Sequence, residues 1–316
     1  MKQKSRKKKR YRYVFIAIIL IGTIWQAIMT QIESKQFSQQ GEKLNVGTYQ
    51  MNYYTKGTGD IAYCFITGSG TPCAYTDFYN LQTMLSEVGQ TISFDHAGSG
   101  FSSNTKTKRI IDHLVQELAV LIDAVAPNKP IILICHSLGS LEAIGYAQMY
   151  PEKVKGIIFL DSGSPEFYSK DSELQGILIN RGSALIRTIG LNRLLGECGI
   201  FLPIYGENVR NNNIPSKIRS LDQVMFYRFT GNRASIETIK QMNENAKSIL
   251  NRGKLNDIPI LVLSSDQDAE WNDVQHQLAS WSTKSEQVTI KSSNHYLYWS
   301  NYDEVVLYIK SFIQTL

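Results

Sequence analysis

Ile131-Ile-Leu-Ile-Cys-His-Ser-Leu-Gly-Ser140 begins as an unbroken apolar run, Ile131 to Ile134, and gives way at once to a helical pattern, Leu141 to Tyr150. A short run rich in β-branched residues reads as a strand buried on both faces. Ser137 therefore stands where a strand turns sharply into a helix. Such a turn holds a serine hydroxyl clear of the sheet, and the first N–H groups of the helix point at whatever that hydroxyl attacks. The usual pattern has glycine two residues before the serine; Cys135 stands there, and cysteine is small enough for close packing. Ser137 reads as a nucleophile.

Outward from this turn the chain alternates. Strands are expected at 61–67, 91–94, 131–134 and 154–160, and helices at 75–87, 108–125 and 138–150, after two tyrosine-rich strands at 44–49 and 51–56. Continuous apolar strands separated by helices indicate a mostly parallel sheet covered on both faces, an α/β fold. The alternation breaks at about 163–256, where helices at 174–195, 217–230 and 235–252 read as a helical cap. It resumes with a strand at 258–264, a helix at 273–281, a strand at 287–290 and a closing helix at 302–316.

The charge is unevenly placed. Of 33 basic and 28 acidic residues, eight basic ones and no acid fall within residues 1–12, so the rest of the chain carries 25 against 28. A mildly acidic body argues against nucleic acid as a partner. The basic segment leads into a charge-free run, Tyr13 to Met29, about 26 Å long as a helix at ~1.5 Å per residue. Extended to Ile32, it matches a bilayer core of about 30 Å. The organisation expected is a basic cytoplasmic segment at 1–12, a transmembrane signal-anchor helix at 13–32, a polar linker at 33–43 and the folded domain at 44–316. Positive flanks stay inside, which puts the domain on the outer side of the cell membrane. The alternative is a secreted protein after signal cleavage, although no small-residue cleavage site follows the run.

Cys64, Cys73, Cys135 and Cys198 lack metal-site spacing, so no metal site is indicated. In an open parallel sheet the reactive edge lies beyond the carboxyl ends of the strands. Those ends carry Thr67-Gly68-Ser69-Gly70-Thr71-Pro72, Asp95-His96-Ala97-Gly98-Ser99-Gly100, Ser137, Ser264-Ser265-Asp266-Gln267-Asp268 and Ser293-Asn294-His295. Activating a serine requires a base of near-neutral pKa and an acceptor that fixes its tautomer. His113 and His276 fall in helix patterns, and His136 shares the Ser137 turn but points away. His96 follows a strand and stays a candidate; His295, after the last strand, is the expected base.

Nucleophile, acid and histidine in this order, each at a strand end, resemble the α/β-hydrolase family over roughly residues 44–316. In that family a penultimate strand of the form Pro-x-Leu-x-Leu/Ile is followed by the acid. Pro259-Ile-Leu-Val-Leu263 aligned this way implies Asp268, with Asp266 as the alternative. The family's Asp-x-x-Gly-x-Gly-x-Ser segment is matched by Asp95, Gly98, Gly100 and Ser102, with Ala97 in place of the usual arginine or proline. Thr67-Gly68 stands where the family's oxyanion loop commonly begins His-Gly, and the resemblance implies backbone N–H groups of Ser69 and Leu138 as oxyanion donors. It implies no cofactor.

The resulting expectation is a membrane-anchored serine hydrolase that cleaves an acyl bond, in the first place a carboxylic ester, through Ser137, His295 and Asp268 and an acyl-enzyme. The partner is a small-molecule acyl substrate. Ile200 to Tyr205 and Met225 to Tyr227 favour a partly apolar one, unless they only pack the cap against the core. Two alternatives stand beside it: an aminopeptidase-type amide hydrolase, and a ligand-binding or signalling protein on the same fold. Gly68-Ser-Gly-Thr-Pro72 matches poorly the Gly-Gly-Pro-Gly loop of proline iminopeptidases. Dehalogenases and epoxide hydrolases would carry aspartate where Ser137 stands.

Overall fold

The computed structural model describes residues 2–37, 40–200, 214–266 and 269–316. Strands β1 (Glu42–Asn45), β2 (Gln50–Lys56), β3 (Ala62–Ile66), β4 (Gln90–Asp95), β5 (Ile131–His136), β6 (Val154–Leu160), β7 (Ile260–Ser265) and β8 (Ser285–Ile290) form one sheet. Its order is β1-β2-β4-β3-β5-β6-β7-β8. The β1/β2 and β2/β4 pairs are antiparallel and the remainder parallel. Alternate residues of β5 enter opposite cores: Ile131, Leu133 and Cys135 join one apolar cluster, and Ile132 and Ile134 the other. A strand with both faces covered has no polar side to show, hence the unbroken apolar run.

A long helix α1 (Lys2–Gln36) precedes the sheet, and α2 (Ala74–Asp77) and α3 (Tyr79–Leu85) link β3 to β4. The crossover to β5 is α4 (Ile111–Val125), and α5 (Gly139–Met149) follows the serine turn. Ile111, Leu114, Val115, Leu118, Leu121 and Ile122 put a helical-period apolar face of α4 into the core. Gly145 lets α5 approach closely, since a Cβ there would come within 3.0 Å of both Ile111 and Val115.

Between β6 and β7 lies the helical block: α6 (Pro165–Tyr168), α7 (Glu173–Thr188), α8 (Leu191–Glu197), α9 (Ser216–Phe229), α10 (Arg233–Ile239) and α11 (Met242–Arg252). The single helix expected at 174–195 is two helices. Gly190 adopts φ 75° between them, a left-handed conformation that ends α7 at little cost only because the residue is glycine. Most of the stretch Ile200 to Tyr205 lies outside the described residues. The chain closes with α12 (Ala269–Ala279), β8, α13 (Leu297–Ser300) and α14 (Tyr302–Gln314).

Helix α1 departs most from expectation. It continues through Gln36, into residues expected as linker, and it lies against the cap. Gly22 allows the contact: a Cβ there would meet the Ile189 carbonyl oxygen at 2.2 Å. Gln26 and Glu33 are buried, and the Glu33 carboxylate receives both terminal nitrogens of Arg193 from α8. All four cysteines are free, three of them buried and Cys198 exposed.

Candidate active site

The parallel register brings three strand ends side by side. His136 pairs with Leu160 across β5/β6, and Leu160 with Leu263 across β6/β7, so Ser137 and Asp161 leave adjacent strands at the same edge. Ser137 has φ 50°, a left-handed conformation that costs a non-glycine residue of order 1–3 kcal/mol. Its neighbours hold it there. The Ser137 N–H donates to the Leu160 carbonyl at 3.4 Å, and the Ser137 carbonyl accepts the Ser140 N–H at 3.1 Å. A Cβ on Gly139 would lie 2.9 Å from the Thr67 carbonyl oxygen, so only glycine lets the turn sit against the loop after β3.

His295 stands on the loop after β8, as expected. Its Nδ1 lies 2.7 Å from Oδ2 of Asp161. Asp161 is buried, its Oδ1 accepts the Ser265 N–H at 2.7 Å, and its own N–H donates to the Leu263 carbonyl at 2.8 Å. A carboxylate fixed on both oxygens can set the tautomer of the ring it faces, leaving Nε2 as the basic nitrogen. This departs from the expectation of an acid after β7. The carboxylate that meets His295 follows β6, the strand between the serine's strand and β7, and Asp268 lies outside the described residues. Asp266 faces elsewhere: it accepts the N–H groups of Ser292 at 2.8 Å and Ser293 at 3.2 Å. Those bonds hold its carboxyl below the usual carboxylate range and tether the loop that carries His295.

His136 braces the same loop from beneath. Its Nε2–H donates to the His295 carbonyl at 3.0 Å, and the two rings lie 4.6 Å apart. Burial, with the adjacent His295, pushes the His136 pKa well below the ordinary imidazole value, so it stays neutral. Its Nδ1 faces Gly68, where a Cβ would lie 2.9 Å from it and 3.0 Å from the Ser137 Cβ. Glycine at 68 is what brings the Ser69 loop onto the nucleophile.

Ser69 and Leu138 share the wall of one cavity of about 60 Å³ with His96 and Glu142. His96 has both ring nitrogens in contact with residues other than Ser137. Its Nε2 meets Glu142 Oε2 at 2.7 Å and its Nδ1 the Thr67 hydroxyl at 3.1 Å, so a chain of polar contacts runs from α5 to the residue before Gly68. His113 contacts the Lys108 carbonyl, and His276 is exposed on α12. Tyr168 of α6 reaches Ser137 with its hydroxyl, which also accepts the Gly163 N–H at 3.3 Å. Burial drives the Tyr168 phenol well upward, so it remains a donor.

Sequence reading passed over Asp161, Glu142 and Tyr168. Asp161 carried a signal, since it directly follows the apolar run Val154 to Leu160 and so occupies a strand end. Glu142 sits in the helix pattern at 138–150 and Tyr168 in the stretch before the first expected cap helix, with nothing in the chain to mark them. A serine on a strained turn, at the sheet edge where an imidazole faces a buried carboxylate one strand away, has the components that nucleophilic acyl chemistry uses.

A family model described as serine aminopeptidase, S33, matches residues 81–298, a stretch that contains Ser137, Asp161 and His295. An uncharacterised Bacillus subtilis protein, YbdG, is 25% identical over 238 residues, 75% of this chain and 72% of its own. A cis-3-alkyl-4-alkyloxetan-2-one decarboxylase of Shewanella oneidensis is 26% identical over 118 residues, 36% of each chain. In fold, a thermophilic esterase from Thermogutta terrifontis superposes with a TM-score of 0.66 at 19% identity, over 87% of this chain and 99% of the esterase.

Proposed function

Since the chain belongs to the serine aminopeptidase S33 family of α/β-hydrolases, we propose that it is a serine hydrolase whose triad is Ser137, His295 and Asp161. The observation that carries this reading is the 2.7 Å contact of His295 Nδ1 with a buried Asp161 one strand away from the Ser137 turn. Ser137 Oγ attacks the acyl carbonyl and passes its proton to His295 Nε2; Asp161 stabilises the imidazolium that forms. Backbone N–H groups of Ser69 and Leu138 receive the developing oxyanion. His295 then protonates the leaving group, and water, deprotonated by the same nitrogen, releases the acyl group.

A carboxylic ester is the substrate class best supported. An aminopeptidase would need a carboxylate for the free ammonium of its substrate. Among the described residues lining the cavity beside Ser69 and Leu138, the carboxylate is Glu142, and it is committed to His96.

We read α1 as an uncleaved anchor, with residues 1–12 cytoplasmic and the hydrolase domain outside. It is long and apolar enough to cross a membrane. A leader destined for removal has no need of Gln26 and Glu33, which enter buried contacts with the cap. A fluorophosphonate probe tests the triad. Labelling is expected in the wild type and lost in Ser137→Ala and His295→Ala; undiminished labelling of Ser137→Ala would place the activated serine elsewhere.

A further inference from the structure

Along α1 the polar and small residues Gly22, Gln26, Thr30 and Glu33 recur at helical spacing, and Gln26 and Glu33 are buried against the cap. The opposite face, with Ile21, Ile24, Ile28 and Ile32, is exposed. Arg193 closes the junction: its Nε donates to Gln26 Oε1 at 2.9 Å, its terminal nitrogens to Glu33, and its guanidinium lies 4.6 Å from the Tyr227 ring centre. Gln26 Nε2 donates to the Tyr227 carbonyl at 2.7 Å. Side-chain polar groups are thus satisfied inside this junction while hydrocarbon faces outward, the arrangement demanded by a lipid surround.

The cap continues the pattern. Leu174, Leu178, Ile179 and Leu185 on α7 and Leu191 and Leu194 on α8 are exposed, and Leu174, Leu178 and Leu185 recur at helical spacing on one stripe. Exposed apolar side chains gathered on one face in this way mark an interaction surface. Helix length decides what it meets. From Tyr13 to the close approach of Gly22 to Ile189, α1 covers about 15 Å, only half of a bilayer core of ~30 Å. The other half of the crossing, Gly22 to Ile32, runs alongside the cap. On the anchoring reading given above, the flank of the cap that holds α1 must lie at the depth of the outer leaflet.

We infer that the outward face of α7 and α8 is immersed in the outer leaflet of the membrane, so that the cap is a lipid-facing element. Arg181 stands on the same stripe, between Leu178 and Leu185, and its side chain is long enough to carry the guanidinium to the headgroups.

The test uses the full chain with Cys198→Ser, since the other cysteines are buried. Single cysteines replace Leu178, Leu185 or Leu194, carry an environment-sensitive NBD label, and are reconstituted in phosphatidylcholine–phosphatidylglycerol vesicles. Ile16 on α1 and Leu307, exposed on α14, serve as references. Doxyl-labelled lipid is expected to quench the three cap positions as it quenches Ile16, while aqueous iodide quenches only Leu307. If the cap labels follow Leu307, or escape both quenchers because a second copy covers them, while Ile16 is quenched by lipid, the anchor stands and this inference falls. If Ile16 itself escapes the lipid quencher, the anchoring reading fails and takes the inference with it.

Discussion

The sheet edge and the α1–cap junction are built with opposite polarity. Around the sheet, Leu, Ile, Val and Phe point inward, and Ser137, Asp161 and His295 emerge just beyond strand ends. At the junction Gln26, Glu33 and Arg193 point inward and isoleucine and leucine point out. In water the second arrangement would expose hydrocarbon and desolvate charge for no return. On the anchoring proposed for α1, the contrast teaches that the two regions answer to different solvents: backbone hydrogen bonds and apolar burial position the site, and a few side-chain contacts hold α1 to the cap.

Breaking the first region has the largest effect. Ser137→Ala is expected to lower kcat on a short-chain nitrophenyl ester by about 10⁴–10⁶-fold with the fold intact, measured with matched circular dichroism. Residual turnover near wild type would remove the serine from the chemistry.

The second region is probed by Glu33→Gln, which leaves Arg193 buried without its counter-charge. Uncompensated buried charge costs about 3–5 kcal/mol, read as a lowered unfolding midpoint in nanodiscs. Fluorophosphonate labelling of Ser137 below that midpoint is expected to persist. An unchanged midpoint would show that the clasp does not hold the junction together.

A smaller effect sharpens the site itself. Glu142→Gln weakens the chain through His96 and Thr67 to the Gly68–Ser69 loop proposed to hold the oxyanion. Losing one oxyanion donor outright costs about 10²–10³-fold, and loosening its loop should cost about tenfold, in kcat rather than KM. A rise in KM at constant kcat would instead make Glu142 a substrate contact.

The mildest perturbation is pH. His136 is neutral when folded, its pKa pushed well down, whereas the unfolded chain protonates it near an ordinary imidazole value of about 6.5. The unfolded state therefore binds the extra proton. Stability from this group is complete above pH ~6.5 and erodes as the pH falls below it, by up to about 1.4 kcal/mol per pH unit. Thermal unfolding between pH 7.5 and 5 checks this: His136→Gln should flatten the slope. An equal slope in the variant would assign the dependence to other groups.

What was legible in the chain was local or periodic. The strand-to-helix turn at Ser137 declares itself by an apolar run meeting a helical pattern, and His295 by its place after the last strand. Asp161 is different, because choosing it over a carboxylate after β7 requires knowing that β6 lies beside β5 and that the β8 loop folds back over β7. The α7–α8 break was written in Gly190 but is indistinguishable in sequence from a tolerated helical glycine. The docking of α1 on the cap was illegible, since Gln26, Glu33 and Arg193 meet across a span of chain that no periodicity bridges.

The central claim is the identity of the acid, and paired kinetics test it most directly. In Asp161→Asn the His295 ring loses its orienting carboxylate, and kcat for the short-chain ester should fall by about 10⁴-fold with little change in KM. Asp268→Asn should stay within a few-fold of wild type. A collapse in Asp268→Asn beside near-normal turnover in Asp161→Asn would contradict the account.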